Sequence, residues 1–142
     1  MKKYHIGYTT GVFDMFHIGH LNILRNAKEL CDYLIVGVST DELVQQYKGT
    51  TPIIGFEERM AIVEAIRYVD KVVPQVTMNK MDAWQQLHFD ALFHGSDWKG
   101  SDMYNRVVAE FEKVGVDVVF LPHTSGVSST MLADILQNLK EQ

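Results

Sequence analysis

The chain has 142 residues, a formal charge of −5 at pH 7, 46% hydrophobic and 22% charged residues, and a single cysteine. That length suits one domain over residues 1–142, and the composition is that of an ordinary globular protein rather than a disordered one. The net charge excludes a general grip on nucleic acid or an anionic membrane, but leaves room for a small, focused anion site. Cys31 alone can form neither an intramolecular disulfide nor a multi-cysteine zinc centre, and small apolar packing is its expected role. After Lys2 and Lys3 no sustained apolar stretch follows, so no signal peptide or membrane span is expected and the cytoplasm is the expected setting.

In chain order, five apolar runs read as strands: "HIGYTT", "YLIVGVS", "KVVPQV", "ALFHG" and "VDVVFLP". Between the first two, Leu21, Leu24, Ala27, Lys28 and Cys31 follow helical spacing, and Ile62, Val63, Ile66 and Val69 do so before the third. The stretch "STDELVQQYKGTTPIIGFEER" reads as a loop, with Tyr47 to Gly55 its most mobile part. A last helix should start at Ser128 or Ser129, after the turn residues of "PHTSG", and carry Met131, Leu132, Ile135 and Leu139 on its apolar side. Alternating strands and helices predict an α/β protein, a Rossmann-like open parallel sheet with helices on both faces. Ligands in such folds bind beyond the carboxyl ends of the strands, where the loops precede helices.

The first of those loops, "GVFDMFHIGH", brings His17 and His20 to the start of a helix beginning near Gly19. A helix N-terminus carries unpaired N–H groups and a partial positive charge, which suits phosphate. Gly19 would let a ligand come close, and Gly11 would allow a sharp exit from the strand. Zinc would need further ligands that the sequence does not announce, and spacing alone equally allows two ordinary surface histidines.

Two separated segments carry a family resemblance. "GVFDMFHIGHLNIL" resembles the first signature of the nucleotidyltransferase superfamily, H-x-G-H, at His17, Ile18, Gly19 and His20. "HTSGVSST", residues 123–130, resembles the second signature of its cytidylyltransferase branch, R-T-x-G-I-S-T-[ST]. Further likeness in "DYLIVGVSTDE", "YKG", "IRYVDKVVP" and "GSDWKG" extends over nearly the whole chain and is greatest to the short bacterial glycerol-3-phosphate cytidylyltransferases.

The resemblance implies transfer of CMP from CTP to a phosphorylated alcohol, with His17, His20 and Lys48 as catalytic residues. It implies nucleotide contacts from Thr10, Gly11, Val12, Phe13, Gly19, Asp97, His123, Thr124, Gly126, Ser128, Ser129 and Thr130. The hydroxyls of the last three would cap the final helix as well as bind the leaving phosphates. Arg59 is expected on phosphate or acceptor, or paired with Glu57 and Glu58. Asp14 would organise the first loop or meet ligand. Asp97, beside Trp98, would line the nucleotide pocket or cap a helix. Arg67 and Asp70 resemble a structural pair near a subunit interface, and a homodimer is implied. Magnesium is expected to arrive on the nucleotide, with no protein ligand assigned.

One departure stands out. His123 replaces the signature's arginine, so a permanent charge gives way to a group titrating near neutrality. That substitution keeps two alternatives open: an adenylyltransferase of the same superfamily, and a nucleotide-binding module without turnover.

Overall fold

The structure is a computed structural model describing residues 2–96, 99–122 and 135–139. Each predicted apolar run forms a strand: β1 (Tyr4–Gly11), β2 (Cys31–Ser39), β3 (Lys71–Gln75), β4 (Ala91–Gly95) and β5 (Asp117–Leu121). The central strands are apolar without alternation because helices cover both of their faces. All neighbours are parallel, in the order β3-β2-β1-β4-β5.

Helix α1 (Ile18–Leu30) follows β1, and α2 (Asp41–Lys48) and α3 (Phe56–Glu64) lie between β2 and β3. Helices α4 (Lys80–Leu87) and α5 (Asp102–Glu112) flank β4. One face of the sheet packs Leu24 and Ala27 of α1 and Val63 of α3 against Leu34, Val36, Val38 and Phe93. The opposite face packs Trp84 and Leu87 of α4 and Phe111 of α5 against Tyr8, Ile35 and Leu92. At the sheet centre, Gly7 has no room for a side chain: a Cβ there would stand 2.3 Å from the Phe93 ring and 2.8 Å from Cys31 Sγ. Among the described residues no helix is long and apolar enough to cross a membrane.

Two expectations change. The segment read as a loop from Ser39 to Arg59 contains α2, because Thr40 caps it, Asp41 and Glu42 occupy its first turn, and Gly49 closes it at φ 74°. Lys48 and Tyr47 are therefore helical, and the connecting loop is the shorter 49–55. The helix before β3 ends at Glu64, whereas Ile66 and Val69 lie beyond it in turns closed by Ile66 N–H to Val63 O and Val69 N–H to Ile66 O. Those three-residue steps keep both side chains on the apolar cluster, so the helical spacing outlasts the helix. The expected start of the last helix, with Met131 and Leu132, lies outside the described residues.

Strand order reverses about β1, with the chain moving outward to β2 and β3 and then crossing to β4 on the other side. The loops leaving β1 and β4 consequently diverge at the carboxyl edge and open a crevice there, as parallel α/β sheets do at such switch points.

Candidate active site

The loop after β1 takes a costly path. Phe13 (φ 57°) and Met15 (φ 47°) both adopt the left-handed conformation that side-chain-bearing residues rarely accept. Phe13 is nevertheless buried, and this path delivers His17 to the N-cap of α1. There the two histidines hold each other's backbone: Gly19 N–H donates to His17 Nδ1 at 3.0 Å, and His17 N–H donates to His20 Nδ1 at 3.1 Å. The rings stack with centroids 3.9 Å apart.

These bonds fix the tautomers. An Nδ1 that accepts carries no proton, so each neutral imidazole holds its hydrogen on Nε2. Among the described residues His17 Nε2 is buried without a hydrogen-bond partner, a donor awaiting an acceptor. Burial lowers the His17 pKa. For His20, burial beneath Phe13 and Phe16, with ring centroids at 5.5 and 5.2 Å, acts with the neighbouring His17 to lower the pKa to about 4, despite the opposing charge of Asp14. Near neutrality both rings are thus uncharged N–H donors. Because Gly19 already gives its N–H to His17, it joins the site through the cap rather than as an open donor.

Around this pair the chain is braced by two charged side chains. Asp14 accepts from Ile53 N–H and Ile54 N–H, each at 2.9 Å, with one oxygen apiece, and so ties the 49–55 loop to the β1 loop. Of its two expected roles the loop-organising one is what the structure displays. Arg59 is fully buried. Its Nε donates to Ile54 O, its Nη1 to Val12 O and Ser39 O, and its Nη2 to Asp41 at 2.6 Å. Four of the five guanidinium N–H groups are therefore spent on the protein itself. Those bonds are all to the protein itself, and the ion pair is with Asp41 rather than Glu57 or Glu58. Arg59 positions the ends of β1 and β2 and the loop that Asp14 holds.

Other expected residues are distributed unevenly. Thr10 and Gly11 end β1 at the crevice, and Val12 enters the site through its carbonyl bond to Arg59. Lys48 is exposed at the end of α2 with its ammonium 5.8 Å from the centre of the Tyr47 ring, so its described contact is local. Asp70 pairs with Lys28 at 2.6 Å and accepts from Leu34 N–H, while Arg67 lies against Tyr68, so within the chain the two make separate contacts. Asp97, His123, Thr124, Gly126, Ser128, Ser129 and Thr130 lie outside the described residues. Among the described residues no cluster of three metal-ligating side chains occurs.

One site residue was not singled out by the sequence reading. Lys80, the first residue of α4, is buried, and its Nζ donates to Thr10 Oγ1 at 2.9 Å. Burial lowers its pKa to about 8. No carboxylate pairs with it among the described residues, and its ammonium sits at the carboxyl edge of the sheet beside β1. The signal was present in the sequence. Lys80 begins the stripe Lys80, Ala83, Trp84 and Leu87, whose last three members pack on the core, and a lysine inside an apolar stripe needs a reason.

A parallel α/β sheet with paired Nε2–H imidazoles at its first helix mouth and a buried lysine at the start of α4, bonded to the end of β1, is suited to holding phosphates. The chain belongs to the cytidylyltransferase-like family, whose model matches residues 8–135. It is 37% identical over 138 residues to the glycerol-3-phosphate cytidylyltransferase of Bacillus subtilis strain 168, spanning 92% of this chain and 96% of that one. It is 40% identical over 125 residues to the ethanolamine-phosphate cytidylyltransferase of Dictyostelium discoideum, covering 84% of this chain and 31% of that longer one. Among solved structures, a lipopolysaccharide core biosynthesis protein from Thermoplasma volcanium GSS1 superposes with a TM-score of 0.71 at 26% identity, over 85% of this chain and 97% of that one.

Proposed function

We propose that the protein transfers CMP from CTP to glycerol 3-phosphate, releasing pyrophosphate. The observation that carries the chemistry is the His17–His20 pair, whose Nδ1 atoms both accept backbone N–H bonds at the helix end, so that each neutral ring carries its hydrogen on Nε2. The near end-to-end likeness to a glycerol-3-phosphate cytidylyltransferase supports the acceptor.

In this reaction an oxygen of the acceptor's phosphate forms a bond to the α-phosphorus while the bond from that phosphorus to the pyrophosphate oxygen breaks. Charge builds on the phosphoryl oxygens as the two anions meet, so positioning and charge stabilisation make up most of the catalysis. His17 and His20 donate to those oxygens without needing to change protonation state. Lys80 holds the acceptor's phosphate, whose arrival restores the full charge that burial discourages. Lys48 and the hydroxyl-rich segment 123–130, through its expected helix mouth, complete the grip on the nucleotide. Magnesium comes with the nucleotide, on its phosphate oxygens and water; the Asp14 oxygens are already used by backbone N–H groups. The same proposal places the enzyme in the cytoplasm as a homodimer.

Pyrophosphate release measured for each nucleoside triphosphate against glycerol, choline and ethanolamine phosphates tests it. The expected result is highest kcat/KM with CTP and glycerol 3-phosphate. Turnover with ATP but not CTP, or nucleotide binding without turnover on any acceptor, would overturn it.

A further inference from the structure

Among the described residues two buried side-chain nitrogens lack a hydrogen-bond partner, His17 Nε2 and Gln75 Nε2. Both stand at carboxyl ends of the sheet, one after β1 and the other on the last residue of β3. A buried polar atom left unpaired is costly, so it calls for an explanation.

Gln75 is 6% exposed and lies opposite Ser39 in the β2–β3 register, where Ser39 Oγ–H donates to Gln75 Oε1 at 3.0 Å. Turning the carboxamide over does not remove the difficulty. The amide nitrogen would then donate to Ser39, and the oxygen would be left without a partner. In either orientation one end of the carboxamide is unused.

Gln75 borders a cleft of about 540 Å³ between β3 and α4, which Tyr8 and Lys80 also line. This is the scale of a small-molecule site. Beside it, a Cβ at Gly37 would lie 2.4 Å from Tyr8 Oη and 3.1 Å from Thr10 Cγ2, so the absent side chain is what lets Tyr8 and Thr10 approach β2. Lys80 Nζ, bonded to Thr10, gives the cleft a cationic end. An acceptor whose phosphate meets Lys80 therefore has its alcohol portion beside Gln75.

We propose that Gln75 is a specificity-determining residue of the acceptor site, its unused carboxamide group pairing with a hydroxyl of a polyol phosphate. A hydroxyl is both donor and acceptor and satisfies the carboxamide in either orientation. An ammonium group only donates, and a trimethylammonium group does neither. This inference rests on the proposed cytidylyltransferase activity and adds how that site reads the alcohol.

The test compares glycerol 3-phosphate with propane-1,2-diol 1-phosphate and propane-1,3-diol phosphate, each lacking one hydroxyl, and with choline phosphate, at saturating CTP. With the unaltered protein, loss of the hydroxyl that Gln75 reads should lower kcat/KM about 10- to 100-fold, the scale of a buried polar group left unpaired. In Gln75→Leu, and in the unbranched Gln75→Met should the leucine variant fail to fold, that ratio should shrink to within about threefold of unity, with the KM for CTP unchanged. Choline phosphate should stay the poorest substrate of the unaltered protein. Equal use of both diol phosphates and glycerol 3-phosphate would overturn the assignment. So would a Gln75 variant that slows every acceptor equally, or preference for choline phosphate. No turnover of CTP with any acceptor would instead defeat the underlying activity, and this inference with it.

Discussion

At the scale of single residues, the site works with neutral groups where phosphate chemistry invites charged ones. His17 and His20 are N–H donors fixed by backbone hydrogen bonds, so removing either should leave nucleotide affinity less affected than turnover. His17→Ala or His20→Ala is expected to lower kcat about 100-fold, the size of one lost transition-state donor, in steady-state assays with both substrates saturating. His20 also links stability to acidity. Its folded pKa of about 4 lies below the ordinary value of 6.5, so between those values the unfolded chain binds the proton first. Stability must fall as pH drops through that window, by on the order of 3 kcal/mol in full. Denaturant melts from pH 7 to 4 should show that fall, and His20→Gln should shrink it. Lys80 acts in the opposite direction of pH. With a pKa near 8 it is charged below that value and neutral above. Acceptor kcat/KM should therefore decline about tenfold per pH unit above pH 8 and stay flat in Lys80→Arg, whose guanidinium keeps its charge.

Among elements, the loops around the site depend on one another. Arg59 joins the ends of β1 and β2, helix α2 through Asp41, and the loop before α3. Replacing it by methionine preserves the bulk but strands Asp41 and three carbonyls, and should destabilise the fold by about 3–5 kcal/mol in equilibrium unfolding. Much of this level was readable from sequence. The five strands, the helix after His17 and the two-faced parallel arrangement all follow from apolar runs alternating with helical spacing. Helix α2 was also announced, by Thr40 followed by Asp41, Glu42 and Leu43 and closed by Gly49, but its few apolar residues and eight-residue length let it pass for loop. The direction in which Arg59 points could not be read. A basic residue near phosphate-binding motifs looks the same in sequence whether it faces ligand or buries itself among carbonyls, because the carbonyls it finds belong to Val12, Ser39 and Ile54, brought together only by the folded sheet. Gln75 was hidden for the same reason, since its unpaired state depends on what surrounds it rather than on its neighbours in the chain.

For the whole molecule, the sheet centre sets tight limits. Gly7 on β1 sits under Phe93 of β4 and against Cys31 of β2, so a single added methyl group must displace both. Gly7→Ala is expected to cost about 3 kcal/mol or more, measurable as a lower denaturant midpoint with an unchanged slope, and Phe93→Leu in the same chain should recover part of it. The contact of Cys31 with this centre has a practical side. The chain's one thiol is fully enclosed. An alkylating reagent can reach it only when the packing of α1 and the sheet around it opens, so the labelling rate counts how often that core opens. Any compound that binds the closed form slows that count by a factor set by its concentration and dissociation constant. The cysteine thereby serves as an internal clock on which affinities for nucleotide, acceptor and inert analogues can be read without a single turnover.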